Sequence, residues 1–385
     1  METAQSSPFP RIDFNQPELT GKELIYIAQA LENAHISGDG QFTRLCQRIL
    51  EEELGVPRIF LTTSCTHALE LAALLLDIQP GDEVVVPAFT FVSTVNAFVL
   101  RGAKPVFCDI RPDTLNIDET ILESLVTPRT RAIIPMHYAG VGCEMETILN
   151  IARHNDIAVV EDNAHGLFGK YKGACLGTFG RLATLSFHET KNITCGEGGA
   201  LLINDPNDIE RAEIVREKGT NRSRFFRGQV DKYTWVDLGS SYLPSDILAA
   251  FLYAQLEQRV DIQKKRQRVW EYYNSHLLEW ANSSDVRLPY VPTYCEHPSH
   301  MYYMILPSLE IRQALIEHLK SNGILSVFHY LPLNTSAMGV HFGGKPGDCP
   351  VTERVSECLI RLPFYNNLTE IEQSQVVESI QNFQL

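Results

Sequence analysis

The segment that decides the fold of this chain reads Leu185-Ser186-Phe187-His188-Glu189-Thr190-Lys191-Asn192, and Gly196-Glu197-Gly198-Gly199-Ala200 follows it almost at once. Short apolar runs over 183–187 and 200–204 predict two strands on either side of this glycine-rich loop. A lone lysine in such a loop is ordinarily a solvated surface charge, because charged side chains are rarely buried. At the end of a strand, however, Lys191 is also placed to form a Schiff base.

A second apolar run, upstream of this loop, ends in a carboxylate. Ile157-Ala158-Val159-Val160 leads into Glu161-Asp162-Asn163-Ala164-His165-Gly166, which predicts a strand with Asp162 at its carboxyl end. Alone, such an aspartate is more often a helix cap or a turn residue. Together, Lys191 and Asp162 match the arrangement in which an amine holds pyridoxal 5'-phosphate and an acid keeps its ring nitrogen protonated. Open α/β sheets bind ligands at the carboxyl ends of their strands, so the pair predicts such a site.

Strand and helix patterns alternate over the first half of the chain. After a helical start over 14–54, which turn residues at 37–40 interrupt, the predicted strands are 58–62, 83–86, 105–108, 132–136 and 157–160. The predicted helices between them are 66–76, 92–101, 118–125 and 144–154. This alternation predicts an α/β fold with a mostly parallel sheet sandwiched by helices.

A long helical pattern over 245–275 predicts the connection to a smaller C-terminal α+β domain. That domain is expected to contain strands at 301–306 and 325–329 and helices at 310–321 and 371–383. We therefore expect a large cofactor-binding domain over 11–260 and a small domain over 261–385.

Composition narrows the functional classes. The 385 residues are 44% hydrophobic and 21% charged, which is typical of a soluble globular protein, and the net charge of −14 argues against nucleic-acid binding. Nine scattered cysteines without a CxxC pair favour reduced thiols in a cytosol over disulfides or a metal site. There is no apolar stretch of the roughly 20 residues that span a bilayer, so a cytoplasmic location without a membrane partner is expected. No complete GxGxxG or GK[ST] motif is present.

Three further features bear on ligand binding. The turn Thr62-Thr63-Ser64-Cys65-Thr66 offers hydroxyls and helix amides to a phosphate, although taken alone it is better explained as a plain helix cap. Phe89 or Phe91 could stack on a flat ring, although core packing is the commoner role of phenylalanine. The segment 211–232 carries seven basic against three acidic residues, which suits either an anionic substrate or a solvated face.

From about residue 11 to the C-terminus, these motifs resemble those of the pyridoxal-phosphate-dependent nucleotide-sugar aminotransferases of the DegT class, a branch of the aspartate aminotransferase fold (fold type I). The resemblance implies that Lys191 holds the cofactor, that Asp162 pairs with its ring N–H and that His165 bonds near its ring oxygen. It further implies cofactor contacts from Ser64, Cys65, Thr66, Phe91, Ser186 and Ser241, and substrate contacts from His188, Arg222, Arg227, Tyr233 and His329.

The chain departs from the family pattern at three positions. Gly239-Ser240-Ser241-Tyr242-Leu243 lacks the Asn and Arg by which many members reach the neighbouring subunit's cofactor phosphate, so Ser241 would have to substitute. Cys65 stands where glycine is frequent, and Asn334 stands where histidine is usual.

The resemblance implies a homodimer with active sites at the subunit interface, which uses L-glutamate and a dTDP-keto-deoxy-sugar to make precursors of surface polysaccharides such as enterobacterial common antigen or lipopolysaccharide. Segment 216–235 is most similar to members that convert dTDP-4-keto-6-deoxy-D-glucose to dTDP-4-amino-4,6-dideoxy-D-galactose. Another keto sugar nucleotide, with a gluco product or a 3-keto group, stays open, as does a non-catalytic regulatory protein on the same scaffold. The related 3-dehydratases are disfavoured, because they carry histidine in place of the lysine.

Overall fold

The computed structural model describes residues 11–384. The strands of this range are β1 Arg58–Thr62, β2 Glu83–Pro87, β3 Lys104–Cys108, β4 Thr130–Ile133, β5 Ala158–Asp162, β6 Lys170–Tyr171, β7 Ala174–Cys175, β8 Leu182–Ser186, β9 Gly199–Ile203, β10 Cys295–Glu296, β11 Tyr303–Ile305 and β12 Leu359–Arg361. The α-helices of the same range are α1 Glu23–Glu32, α2 Gln41–Leu54, α3 Cys65–Leu75, α4 Ser93–Val99, α5 Glu119–Leu122, α6 Met145–His154, α7 Ile209–Arg216, α8 Arg222–Phe226, α9 Asp246–Glu257, α10 Arg259–Ser283, α11 Leu309–Ser321, α12 Ala337–His341, α13 Pro350–Cys358 and α14 Glu370–Gln381.

A seven-stranded sheet organises the first half of the chain, in the order β1-β9-β8-β5-β4-β2-β3. Neighbouring strands from β8 to β3 pair in parallel. Only β9 within this sheet runs the other way, antiparallel to both β1 and β8. The predicted mostly parallel sheet is therefore confirmed.

Helices cover both faces of the sheet and bury its apolar side chains. On one face, α3, α4 and α7 pack on a cluster that contains Val84, Val160 and Leu201. On the other face, α2 and α9 pack on a cluster that contains Leu61 and Leu185. Alternate residues of the strands thus point into different clusters, as the two-residue period of a strand requires.

The geometry of the sheet brings several loops to one edge. Strands β1, β2, β5 and β8 all end there, and the antiparallel strand β9 begins there at Gly199. A Cβ atom at this position would lie 2.4 Å from the backbone nitrogen of Cys65. Glycine at 199 therefore lets the turn between β1 and α3 approach the start of β9.

The C-terminal part has a core of its own, to which α10, α11 and α14 contribute. The first described residues join it, because Ile12 is buried in this core and its N–H donates to the carbonyl of Gly323 at 2.8 Å. Strand β10 instead pairs with β6 of the N-terminal half. The division of the chain at residue 260 stays a prediction.

The structure corrects two predicted elements of the C-terminal part and adds two helices. The helical pattern over 245–275 is two helices, α9 and α10, which meet at Gln258. Residues 325–329 form no strand, since Val327 makes only an isolated bridge to Arg361 and the N–H of Leu325 donates to the carbonyl of Ile12 at 3.0 Å. Helices α12 and α13 were not expected. Among the helices between residues 11 and 384, none combines the length and the apolar character that crossing a membrane requires.

Candidate active site

A cavity of about 980 Å³ opens at the carboxyl edge of the sheet, between the strand ends and the C-terminal part of the chain. It brings together ten of the predicted site residues: Ser64, Cys65, Thr66, Phe91, Asp162, His165, Ser186, His188, Lys191 and His329. Residues 64–66 and 186–191 come from strand ends on one side. His329 comes from the C-terminal part, so the cavity joins segments far apart in sequence.

Lys191 lies in the loop between β8 and β9. The loop is fixed by its own backbone, since the N–H of Lys191 donates to the carbonyl of His188 at 2.9 Å and that of Glu189 donates to Gly196 at 2.8 Å. Burial lowers the pKa of the Lys191 amine to about 8, and the charge of Arg361 adds to this shift. A larger fraction of this amine is therefore uncharged near neutral pH than in an ordinary lysine, as a nucleophile requires.

Asp162 is buried at the end of β5 and is held at both carboxylate oxygens. Its Oδ2 accepts a hydrogen bond of 2.7 Å from the Thr94 hydroxyl, and its Oδ1 accepts one of 3.1 Å from the N–H of Ala164. Thr94 in turn lies 2.8 Å from the hydroxyl of Thr90. Because Thr94 donates to Asp162, Thr90 donates to Thr94, and the two threonines orient the carboxylate.

His165 carries an unused hydrogen-bonding group. Its Nδ1 is buried and has no partner among residues 11–384, whereas its Nε2 lies 3.4 Å from the Tyr330 hydroxyl. Burial holds the pKa of His165 well below its usual range, with Lys191 and Arg361 adding to the effect, so the ring is neutral. Buried polar atoms without partners are rare, so a free ring nitrogen beside a cavity fits a bound group with a polar oxygen.

Three contacts tie the lysine loop and His165 to the C-terminal half. Asn192 donates to the carbonyl of Pro298 at 2.7 Å and accepts from Nδ1 of His300 at 2.9 Å. The His300 ring stacks on His165 with centroids 4.2 Å apart. His329 is likewise fixed, since its Nδ1 lies 2.8 Å from the hydroxyl of Tyr138.

The predicted phosphate turn opens helix α3. Ser64 caps the helix and accepts from the N–H of His67 at 3.1 Å, while the hydroxyl of Thr66 lies 2.7 Å from that of Ser93. The Cys65 side chain fits because its thiol donates to the Thr184 hydroxyl at 3.5 Å. Burial raises the pKa of this thiol to about 12, so it is neutral beside a bound anion. First-turn amides with neighbouring hydroxyls are a donor set that fits a phosphate.

The two candidate stacking rings have different surroundings. Phe89 is 1% exposed and packs against the ring of Tyr138, whereas Phe91 is 56% exposed on the cavity wall. Of these two rings, only that of Phe91 is therefore accessible to a ligand in the cavity.

Four predicted site residues do not line the cavity of their own chain. Arg222 pairs with Glu217 at 2.6 Å, and Arg227 pairs with Glu213 at 2.8 Å. Tyr233 is 53% exposed, and Ser241 is exposed beside its backbone bridge to Glu217. Asn334, the position of the third departure, is buried and bonds to the carbonyl of Lys345.

Sequence reasoning missed four residues that line this cavity, Thr94, His300, Tyr330 and Arg361, and Asn192, which accepts a hydrogen bond from His300 behind the wall. Of these residues, Arg361 could have been recognised from the sequence. Arg361 interrupts the apolar run Leu359-Ile360-Arg361-Leu362-Pro363, where a charged residue is uncommon unless it meets a partner.

The sequence model of the DegT/DnrJ/EryC1/StrS aminotransferase family matches residues 17–381. The chain belongs to this family. It is 32% identical to the GDP-perosamine synthase of Caulobacter vibrioides over 97% of this chain and 98% of that one. It is also 32% identical to the GDP-perosamine synthase of Escherichia coli O157:H7, over 96% and 97%.

A solved structure has the same overall fold. Spr1654 from Streptococcus pneumoniae, in its PLP form, superimposes with a TM-score of 0.88 at 27% identity and covers 96% of this chain and 98% of its own. The chain therefore has the fold of pyridoxal-phosphate enzymes of fold type I, as expected. It is a pyridoxal-phosphate-dependent sugar aminotransferase.

Proposed function

We propose that the enzyme transfers the amino group of L-glutamate to the 4-keto carbon of dTDP-4-keto-6-deoxy-D-glucose. The products would be dTDP-4-amino-4,6-dideoxy-D-galactose and 2-oxoglutarate. The cavity that gathers Lys191, Asp162 and His165 with the phosphate turn carries the transamination part of this proposal. The resemblance of segment 216–235 to enzymes that act on this dTDP sugar supports the choice of substrate.

Each residue has a defined task in this reaction. Bound pyridoxal phosphate supplies an electron sink and carries the amino group between the two substrates. The negative charge of Asp162 keeps a proton on the ring nitrogen, because an opposite charge favours the ionised form. The amine of Lys191 removes the proton from the α-carbon of glutamate and later delivers a proton to carbon 4 of the sugar.

The donor groups around the cavity position the cofactor for this chemistry. With Nε2 accepting from Tyr330, the neutral ring of His165 would have its proton on Nδ1 and could donate it in a hydrogen bond to the ring oxygen of the cofactor. The first turn of α3, with Ser64 and Ser186, would hold the phosphate. Phe91 would stack on the cofactor ring.

We also propose that the four outlying site residues serve the cavity of a second copy of this chain. Arg222, Arg227, Tyr233 and Ser241 lie on a surface that also exposes Phe226 by 69% and Trp235 by 73%. Large exposed aromatic side chains of this kind are typical of protein interfaces. A homodimer with shared active sites would bring this surface to a partner.

A GDP-linked keto sugar is the second candidate substrate, because two relatives at 32% identity are GDP-perosamine synthases. The test incubates the purified enzyme and L-glutamate with dTDP-4-keto-6-deoxyglucose and, separately, with its GDP-linked counterpart. We expect faster turnover of the dTDP sugar, and a product whose carbon-4 proton couplings show the galacto configuration by NMR. Preferential use of the GDP sugar, or a gluco product, would contradict the proposal.

A further inference from the structure

The ring of His165 is held in place mainly by another histidine. The only hydrogen bond of this ring among residues 11–384 joins Nε2 to the Tyr330 hydroxyl, and at 3.4 Å it is longer than an ordinary hydrogen bond. The ring of His300 lies much closer, with a centroid distance of 4.2 Å and an interplanar angle of 22°. Three further rings lie 6.0 to 6.5 Å away, those of Tyr138, His329 and Tyr330. The plane of the His165 ring therefore depends chiefly on His300.

Asn192 fixes the rotation of the His300 ring. Nδ1 of His300 lies 2.9 Å from Oδ1 of Asn192, and the amide nitrogen of Asn192 donates to the carbonyl of Pro298 at 2.7 Å. The reverse placement of the amide would bring two oxygens together, so Oδ1 accepts from His300 and the His300 proton is on Nδ1. Because Asn192 directly follows Lys191, this bond also ties the His300 ring to the lysine loop.

Arg266 of helix α10 fixes the backbone of the same segment. Its guanidinium donates from Nε to the carbonyl of Ser299 at 3.1 Å and from Nη2 to the carbonyl of His300. Its Nη1 donates to Oδ1 of Asn366 at 2.9 Å. Arg266 is buried, which lowers its pKa to about 9, and it forms no ion pair with a carboxylate among residues 11–384. A buried charge without a counterion is costly, so its hydrogen bonds to this segment must be strong to retain it.

The segment 298–300 is also strained and closely packed. Ser299 is buried and has a φ of +49°, a conformation that a residue other than glycine keeps only where its surroundings enforce it. A Cβ atom at Gly140 would lie 2.4 Å from Cδ of Pro298 and 2.9 Å from the carbonyl oxygen of His165. Glycine at 140 thus lets this segment approach the backbone of His165.

A packing role alone does not account for these contacts. The carbonyls of residues 298, 299 and 300 each accept a hydrogen bond from a side chain, either that of Asn192 or that of Arg266. An apolar side chain at position 300 would fill the same space without these polar partners. Buried polar groups that are all paired specify one arrangement, and here they determine where the His300 ring lies.

We propose that His300 is a positioning residue, which holds the ring of His165 in the orientation that presents Nδ1 to the ring oxygen of the cofactor. Asn192 and Arg266 hold His300 in turn. The assignment rests on the contact between His165 and the cofactor proposed above, and not on the choice of sugar nucleotide. Burial holds the pKa values of both histidines well below their usual range, so the two neutral rings stack without charge repulsion.

The experiment measures by calorimetry how tightly the full-length protein binds pyridoxamine 5'-phosphate. This form of the cofactor carries the ring oxygen and forms no covalent bond with Lys191, so its dissociation constant reports on the noncovalent contacts. The second probe is its 3-deoxy analogue, which lacks the ring oxygen. We expect the wild type to prefer pyridoxamine phosphate about tenfold, as for one hydrogen bond to a charged group. His300→Ala should lose most of this preference.

Two further variants protect the test against a loss of folding and against unspecific effects. His300→Leu fills the space without a planar ring and should behave like His300→Ala. His276→Ala is the matched control, because the exposed His276 ring stacks on Tyr272 with almost the same geometry, at 4.1 Å and 21°, on helix α10. This control should keep the wild-type preference. Circular dichroism checks the fold of each variant.

A double-mutant cycle shows whether His300 acts through His165. His165→Phe retains a planar ring without the donor, so it should weaken the binding of pyridoxamine phosphate about tenfold. The double variant with His300→Ala should bind no more weakly than His165→Phe alone, because residues that act as one unit give losses that do not add.

The outcomes separate this inference from the proposed function. If both substitutions at His300 weaken the two ligands equally, or if the losses in the cycle add, His300 is a packing residue and the inference is wrong. If the wild type binds both ligands equally well, His165 does not contact the ring oxygen, and the inference fails with that contact. Failure to convert the dTDP sugar, with the preference and the cycle as expected, would overturn the sugar assignment and leave the inference standing.

Discussion

The hydroxyl of Thr94 donates to Oδ2 of Asp162 at 2.7 Å, from the first turn of helix α4 to the end of strand β5. Together with the bond from the N–H of Ala164, it leaves the carboxylate little freedom to rotate. Thr90 extends the chain by donating to Thr94. The carboxylate that we propose to pair with the cofactor's ring nitrogen is thus oriented by two hydroxyls, one in helix α4 and one in the segment that precedes it.

We expect Asp162→Asn to slow both half-reactions at least about a hundredfold, the lower range for a positioned electrostatic or proton-transfer group. Asparagine keeps the size of the side chain but removes the charge that holds the ring nitrogen protonated. The measurement is the rate of each half-reaction at saturating cofactor. A loss smaller than roughly threefold would rule out a role of this size.

Thr94→Val should reduce activity by roughly tenfold, because it removes one hydrogen bond to a charged group and leaves the side-chain volume almost unchanged. Thr94→Ser retains the hydroxyl and serves as the control. Turnover of the two variants under identical conditions provides the comparison. Equal losses in both would indicate that packing of the threonine methyl group, and not the hydrogen bond, matters at this position.

Lys191→Ala should abolish transamination and leave the fold intact, because this loop is held by backbone bonds that the side chain does not make. Circular dichroism and the unfolding temperature would report on the fold, and amino-acid deamination would report on activity. The variant should still retain the cofactor through the phosphate turn, although borohydride should no longer fix it to the protein. Wild-type turnover would refute the assignment of Lys191.

The amine of Lys191 should gain reactivity near pH 8. Burial lowers its pKa from 10.5 to about 8, so the uncharged nucleophile predominates above pH 8 and is protonated below it. The rate at which cofactor-free protein reacts with added pyridoxal phosphate, followed by absorbance, should rise with an inflection near this value. In Arg361→Gln the inflection should move to higher pH, since Arg361 contributes to the lowering. An inflection near 10.5 in the wild type would contradict the prediction.

Local sequence patterns predicted the cavity residues that lie at the ends of strands. Lys191, Asp162 and Ser64 each follow an apolar run, and parallel strands carry such residues to one edge of a sheet. Arg361 and His300 could not be placed in the same way, because their positions depend on contacts between distant parts of the chain. The boundary between helices α9 and α10 at Gln258 could not be predicted either, because neither proline nor glycine marks it.

The contacts of the basic segment 211–232 could not be predicted from local sequence either. The sequence shows the net positive charge of this segment. It does not show that Glu213 pairs with Arg227 and that Glu217 pairs with Arg222. The structure shows that these pairs form within the chain, outside its own cavity. Their proposed role in the cavity of a second copy depends on how two chains assemble, and no local pattern in a single sequence encodes that geometry.

Arg227→Ala should raise the apparent KM for the nucleotide sugar by roughly tenfold and leave the glutamate half-reaction almost unchanged. The reason is that a diphosphate can accept several charge-assisted hydrogen bonds from clustered basic side chains. Glu213→Gln is the matched control, because it breaks the same 2.8 Å ion pair and keeps the guanidinium. Both partners are at least partly exposed, and an exposed pair contributes only about 0 to 1 kcal/mol to stability.

The comparison of the two variants decides between a substrate contact and a local structural role. If Arg227 reaches the nucleotide sugar in the cavity of a second copy, only Arg227→Ala raises the KM, and Glu213→Gln leaves it unchanged or lowers it by freeing the arginine. If the ion pair merely fixes α8 against α7, both substitutions disturb the segment equally and both half-reactions slow together. Steady-state kinetics with each substrate varied in turn, combined with the molar mass of each variant in solution, distinguishes these outcomes.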